Sequence, residues 1–237
     1  MNLPIIVYTF HKNFDILSIF LERAKKFYPG QEIIVLSDEP FQSNYKNAIY
    51  KNSDPHYLHW KDVLDFVGDY FIYCQEDFIL YDNVNFKEME KCLECLKNDD
   101  ISYVRLIKSG FFIHKNRKEF SKNIFEISSD ETHANFAMQA TIWNKKDFYK
   151  AYNDSKINII FDEDVVRESI KKLSINGAFY YSGENKRGLS HYDSKIFPYI
   201  ATAIVNGKWN TLEYGNELNV LKKEFSLDFG ARGEYGI

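Results

Sequence analysis

Asp69-Tyr70-Phe71-Ile72-Tyr73-Cys74-Gln75-Glu76-Asp77-Phe78-Ile79-Leu80-Tyr81-Asp82 is the stretch on which the fold turns. Its first half is a run of aromatic and β-branched residues, the composition of a strand buried on both faces. The run stops at two adjacent carboxylates, Glu76 and Asp77, and a second apolar group follows. Two carboxylates at the end of a buried strand are costly to desolvate unless a cation or hydrogen bonds compensate them. In open α/β sheets, ligands also collect at such strand ends.

The preceding chain supplies what such a strand needs as neighbours. Residues 3–10 (Leu-Pro-Ile-Ile-Val-Tyr-Thr-Phe) read as a buried strand, with Pro4 tolerated at its start. Leu17, Phe20, Leu21, Ala24 and Tyr28 recur at helical spacing, and Pro29-Gly30 stops that helix. Residues 32–38 (Glu-Ile-Ile-Val-Leu-Ser-Asp) form a second buried strand. A β-α-β unit of this kind implies a parallel pair with a right-handed crossover. Its strand ends carry Thr9, Ser37 and Asp38, small polar groups suited to a base and ribose. Residues 41–57 read as loop, with a short strand near 48–50. Trp60, Val63, Leu64 and Val67 mark a one-faced helix capped by Gly68.

Beyond the acidic strand, Phe86, Met89, Leu93 and Leu96 predict a helix, and residues 101–107 another strand that 111–113 could extend. Residues 115–132 are charged and read as a mobile loop. Residues 134–143 regain strand composition, then a helix runs through Phe148, Ala151 and Tyr152. Asp162-Glu163-Asp164 opens a further helix, where the dipole favours acids. A late strand near 178–181 leads to a glycine-bracketed basic loop containing Lys186, Arg187 and His191. A last amphipathic segment holds Leu218 and Leu221, and the Gly-rich tail 230–237 reads as loosely held. The expected architecture is α/β: one domain over residues 1–237, with a mostly parallel sheet covered by helices on both faces.

Composition narrows the function. Of 237 residues 45% are hydrophobic and 27% charged, ordinary for a globular chain. A net charge of −4 offers no field for nucleic acid. Three cysteines do not make a disulfide framework and suit a reducing compartment. Cys92 and Cys95 lie within a helical pattern without a second pair, so they are not read as a metal site. No apolar run has the length of a membrane span, and the N-terminus is read as going straight into a strand. A cytoplasmic location without stable membrane insertion is expected.

Three clusters could carry chemistry: Glu76-Asp77, Asp162-Glu163-Asp164, and Lys186-Arg187 with His191. A hard divalent cation takes carboxylate oxygens and bridges diphosphate oxygens. A histidine can complete that sphere or bond a phosphate. Lysine and arginine neutralise a leaving diphosphate, and a separate carboxylate can deprotonate an acceptor hydroxyl. Together these are the needs of transfer from a nucleoside-diphosphate sugar.

Residues 70–78 (Tyr-Phe-Ile-Tyr-Cys-Gln-Glu-Asp-Phe) resemble the strand bearing the acidic metal motif in small bacterial and viral glycosyltransferases of the GT-A fold. Residues 137–143 resemble a strand ahead of their acceptor-side helix, and residues 188–192 and 204–209 resemble their C-terminal closing motif. The resemblance implies a GT-A-like, Rossmann-like domain with a nucleotide half near 1–110 and an acceptor half near 111–237. It also implies a UDP-type sugar-nucleotide donor, Mn2+ or Mg2+, and a glycan or other hydroxyl acceptor, often in surface glycan synthesis.

Carried over, Asp77 becomes the last acid of the Asp-x-Asp motif and the direct metal ligand. Gln75 stands where the motif has its first Asp, a departure that Glu76 could offset through the ribose or a metal-bound water. His191 becomes the late metal or diphosphate contact. Glu163 becomes the base, with Asp162 and Asp164 not separated from it. Thr9, Ser37, Asp38, Glu76, Lys186 and Arg187 would hold the nucleotide sugar. Trp60 and Trp143 read as core, whereas Trp209 beside Lys208 could stack on a sugar ring.

The expected activity is thus a metal-dependent hexosyl-type transferase, inverting if Glu163 is the base. One rival is a non-catalytic subunit on the same fold that binds a nucleotide sugar or glycan, motivated by the incomplete motif. A nucleotidyltransferase would want a glycine-rich loop after the first strand, and Phe10-His11-Lys12-Asn13 has none.

Overall fold

The computed structural model describes residues 3–42, 48–52, 63–110, 112–131, 133–155, 163–188 and 190–236. Trp60 and Asp162 lie outside them. The apolar run around Ile5 forms strand β1 (Ile5–Thr9), followed by helix α1 (Phe14–Phe27) and strand β2 (Ile33–Ser37). Strand β3 (Ala48–Asn52) comes next, then β4 (Tyr70–Gln75), which ends immediately before Glu76-Asp77. After the two-residue strand β5 (Ile79–Leu80) comes helix α2 (Phe86–Asn98), capped by the Asn85 side chain.

The second half contributes β6 (Tyr103–Arg105), β7 (Glu119–Ser121), β8 (Ile124–Ile127) and β9 (Thr141–Asn144). Helices α3 (Lys145–Ser155) and α4 (Glu163–Lys172) precede β10 (Gly177–Tyr180). Short strands β11 (Lys186–Arg187), β12 (His191–Tyr192), β13 (Tyr199–Ile200), β14 (Ile204–Val205) and β15 (Lys208–Trp209) lead to helix α5 (Thr211–Phe225).

Nine strands form one sheet in the order β3-β2-β1-β4-β9-β6-β10-β8-β7. Strands β3, β2, β1, β4, β6, β10 and β7 share a direction, and only β9 and β8 run against them. The mostly parallel α/β reading therefore holds. Alternation along β1 shows how the faces are covered: Ile5 and Val7 pack with α1, α2 and α5, while Ile6 and Tyr8 pack with α3 and α4. Trp143 is core, as expected.

Three local readings are corrected. The charged segment at 115–132 contains the β7–β8 hairpin, which ends the sheet: Ile124 and Ile127 are fully buried, and Arg117 forms a 2.6 Å ion pair with Glu131 across its base. Of residues 134–143, read as a strand, only the last three lie within β9, while 134–140 run irregularly. Side chains satisfy that backbone instead of a ladder: Arg105 Nη2 donates to the Ala134 carbonyl at 2.9 Å, Tyr103 Oη to that of Asn135, and Arg167 Nε to that of Phe136 at 2.9 Å. The Gly-rich tail is tied down. Trp209 N donates to the Gly233 carbonyl at 3.0 Å, and Trp209 stacks on Phe229 at 4.9 Å. Trp209 is thereby 2% exposed, so it is core and not a sugar platform.

Candidate active site

The strand order reverses between β1 and β4, because β1 also pairs with β2, and such a switch point opens a crevice at the carboxyl ends of the strands. Three loops meet there. Asp38, after β2, accepts from the His11 backbone N–H and lies 2.6 Å from His11 Nδ1. Glu76, after β4, accepts at 2.6 Å from Asn13 Nδ2. Arg232, from the tail, donates through Nε to Asp15 Oδ2 at 2.8 Å and through Nη2 to the Lys12 carbonyl at 3.1 Å. Thr9 and Ser37 are buried in the strand ends, Thr9 Oγ1 donating to the Phe10 carbonyl and Ser37 Oγ accepting from Glu39 N.

Glu76 and Asp77 occupy the turn after β4. Burial pushes both carboxyls well above their usual range, and on Asp77 the neighbouring Glu76 charge adds to it. The Asn13 bond and, through space, Arg232 oppose the shift on Glu76. Backbone N–H groups of Ala203 and Ile204 oppose it on Asp77, Ile204 N lying 3.4 Å from Oδ2. They are delivered by the pairing of β13 with β5, Ile200 opposite Ile79.

That same segment reaches His191. Thr202 Oγ1 lies 3.4 Å from His191 Nε2, and Asn210 Nδ2 fixes the Thr202 carbonyl at 3.1 Å. Burial lowers the pKa of His191, although Glu213 opposes this, so the ring is neutral at pH 7. Asp77 and His191 are thus held by consecutive residues of one segment.

Beside them a cleft of about 200 Å3 is lined by Arg105, Gln139, Glu163, Arg167 and His191 among others. Glu163 Oε1 accepts from Met138 N at 2.8 Å, and Arg167 Nη2 lies 2.5 Å from Oε2. Asp164 points to solvent, its side chain 86% exposed and bonded to Arg167 Nη1. Of the two acids described, Glu163 alone lines the cleft. Gln75 Nε2 donates to Met138 Sδ at 3.4 Å, linking this wall to the end of β4.

Lys186 is exposed. Arg187 is engaged within the fold: it meets Asp193 at 3.0 Å, Glu217 at 2.8 Å and the Glu213 carbonyl at 3.1 Å, fastening the β11–β12 ribbon to α5. Asn13, Arg105, Gln139 and Arg232 escaped the reading of the sequence. A lone arginine inside the apolar run Tyr103-Val104-Arg105-Leu106-Ile107 was the one available signal among them.

Among the described residues no three His, Cys, Asp or Glu side chains converge as a metal cage. The pair Glu76-Asp77 fits a different kind of site, since a hard cation of the Mg2+ type is held by one or two carboxylates and completes its sphere with water and phosphate oxygens. A larger cleft of about 560 Å3, including Pro4, Glu32 and Tyr70, sits at the opposite, amino-terminal ends of β1 and β4, away from these groups.

No protein-family model and no curated protein matches the chain. Solved structures of LgtC are similar to part of the chain. A galactosyltransferase LgtC complex with donor and acceptor sugar analogues overlaps at a TM-score of 0.44 and 10% identity, covering 73% of this chain and 72% of that one. An active-site mutant of LgtC gives 0.43 and 13%, over 76% and 72%. Overlap this loose bears on neither activity nor mechanism. Among the described residues no helix is long and apolar enough to cross a membrane.

Proposed function

We propose that the chain is a glycosyltransferase moving a sugar from a nucleoside-diphosphate donor, UDP-linked in the favoured case, to a hydroxyl of a glycan or similar acceptor. The observation that carries this is the half-buried carboxylate pair Glu76-Asp77 at the switch-point crevice, both carboxyls pushed above their usual range, with the Glu163–His191 cleft alongside.

Thr9, Ser37 and Asp38 border the space for the nucleoside, and Asp38 keeps His11 folded over that edge. Asp77, with Glu76 behind it, is where a divalent cation, Mn2+ or Mg2+, would be held. When bound, such an ion neutralises charge on the diphosphate. His191, neutral through burial, offers a ring N–H to the departing diphosphate, and Lys186 is free to add charge from the ribbon. Arg187 then serves position more than charge, its carboxylate partners already in place.

Glu163 takes the proton from the acceptor hydroxyl as its oxygen bonds to the anomeric carbon and the bond to the diphosphate oxygen breaks. Attack from the face opposite the leaving group inverts the configuration. The test is release of nucleoside diphosphate from UDP-, GDP- and dTDP-sugars with an oligosaccharide acceptor, with and without EDTA. Turnover abolished by EDTA and by Glu163→Gln supports the reading, whereas full turnover in Glu163→Gln removes the base.

A second reading has its own observation, the amide Gln75 at the end of β4 where a further carboxylate would strengthen a cation site. On it the protein is a non-catalytic subunit binding a nucleotide sugar or glycan. Donor binding without turnover, indifferent to EDTA, would favour it.

A further inference from the structure

Arg105 ends β6 as a buried cation, 2% exposed, on the floor of the cleft that holds Glu163 and His191. A buried charge is costly to retain unless an opposite charge or a full set of hydrogen bonds compensates it. Here the compensation is incomplete. One nitrogen, Nη2, donates to the Ala134 carbonyl at 2.9 Å, and the Phe112 ring lies 5.2 Å from the guanidinium carbon. Nε has no hydrogen-bond partner among the described residues. Glu163 and Glu131 act on Arg105 through space, but their oxygens are engaged elsewhere, those of Glu163 by Arg167 and the Met138 amide and those of Glu131 by Arg117.

Two arginines and one glutamate line the cleft; Arg167 is paired with Glu163 and, outside the lining, with Asp164, so the cation left without a paired carboxylate is Arg105, and the remaining polar lining includes His133, Gln139 and His191. Tyr199 Oη donates to Gln139 Oε1 at 2.7 Å, which fixes that side chain against the wall. At about 200 Å3 the space falls below the roughly 300–1,000 Å3 that drug-sized ligands fill, so it suits one sugar ring and not a nucleotide. The acidic crevice of Asp38, Glu76 and Asp77, by contrast, is the wrong charge for an anion without a cation.

We infer that Arg105 is an oxyanion receptor in this cleft, selecting a sugar ring that carries a carboxylate or a phosphate ester. The planar guanidinium offers paired N–H donors that match such a group, and a bound oxyanion would supply the missing partner of the buried charge. The inference rests on the transferase reading for the ring's role, but its test does not.

Wild-type protein is titrated by calorimetry or NMR with glucose, glucuronate, glucose 6-phosphate and pyrophosphate, no nucleotide being present. The expected result is at least tenfold tighter binding of glucuronate or glucose 6-phosphate than of glucose, and which of the two binds identifies the oxyanion. The preference should fall severalfold in Arg105→Lys, which keeps the charge but loses the fork, once circular dichroism shows that variant folded. Equal binding of the charged and neutral rings by wild type would overturn the inference without recourse to any variant. So would pyrophosphate displacing the charged ring and binding more tightly than it, since the residue would then serve the diphosphate. Failure of nucleotide sugars to bind would sink the transferase reading and leave this comparison standing.

Discussion

Asn13 Nδ2 donates a 2.6 Å hydrogen bond to Glu76 Oε1, joining loops 63 residues apart across the crevice between β1 and β4. It locks the turn carrying Asp77 to the turn that follows β1. Arg232 reaches the β1 side of the same junction, meeting Lys12, Asn13 and Asp15. The β1 side of the crevice is thus closed by Arg232.

That closure predicts the phenotype of Arg232→Gln. Asp15 is largely exposed, so the ion pair itself contributes about 0–1 kcal/mol and the melting temperature should change little. Nucleotide-sugar affinity should fall severalfold, because the loop of Lys12 and Asn13 loses its tether. Calorimetry alongside thermal melting separates the two effects.

The pH dependence of stability follows from the acidic turn. Burial raises both carboxyl pKa values in the folded state, so that state binds more protons than the unfolded chain, whose carboxyls titrate near about 4. Their contribution is fully present below that value and is lost as pH rises through the folded pKa values. Asp77→Asn, which stays neutral, should therefore melt higher than wild type at pH 8 without added metal. Melting curves from pH 5 to 9 should show the difference narrowing toward acid.

Gly177→Ala tests the packing behind the irregular segment. A Cβ at Gly177 would lie 2.2 Å from Cζ of the Tyr103 ring, its partner on β6. Tyr103 in turn bonds the Asn135 carbonyl, so displacing the ring disturbs residues 134–140 and the cleft above them. Overpacking of this kind costs about 1–3 kcal/mol, which denaturant unfolding would read.

Glu163→Gln should lower kcat by roughly 10²–10⁴-fold, the span of general-base catalysis, with KM for the donor nearly unchanged. Asp164→Asn, altering a solvent-facing group, should lower kcat far less. Steady-state kinetics on the two variants distinguishes the neighbours that the sequence left together.

The parallel half of the sheet was legible because β1, β2 and β4 are apolar on both faces and end in polar residues, a pattern with few alternatives. The β7–β8 hairpin was hidden by its charges: only Ile124 and Ile127 of its short run are buried, too few to show a period. Residues 134–140 have strand composition, but Tyr103, Arg105 and Arg167 hold their carbonyls from elsewhere in the chain, and periodicity carries no trace of that. The tail misled in the opposite sense. Its glycines suggested looseness, while Phe229 against Trp209 and Arg232 against Asp15 fasten it. Within the site, Glu76-Asp77 stood out as acids ending an apolar run. Asn13 did not, because its role exists only once two distant strands lie side by side.

In the proposed transferase, Asp77 marks the donor site and acts through a divalent cation. Isothermal titration of wild type and Asp77→Ala with UDP-, GDP- and dTDP-sugars, with and without Mn2+, tests it most directly. One nucleoside should bind, removing Mn2+ should weaken binding by tenfold or more, and Asp77→Ala should bind weakly whether or not Mn2+ is present. Binding that is equal in all four conditions, or no binding of any nucleotide sugar by folded wild type, would contradict it.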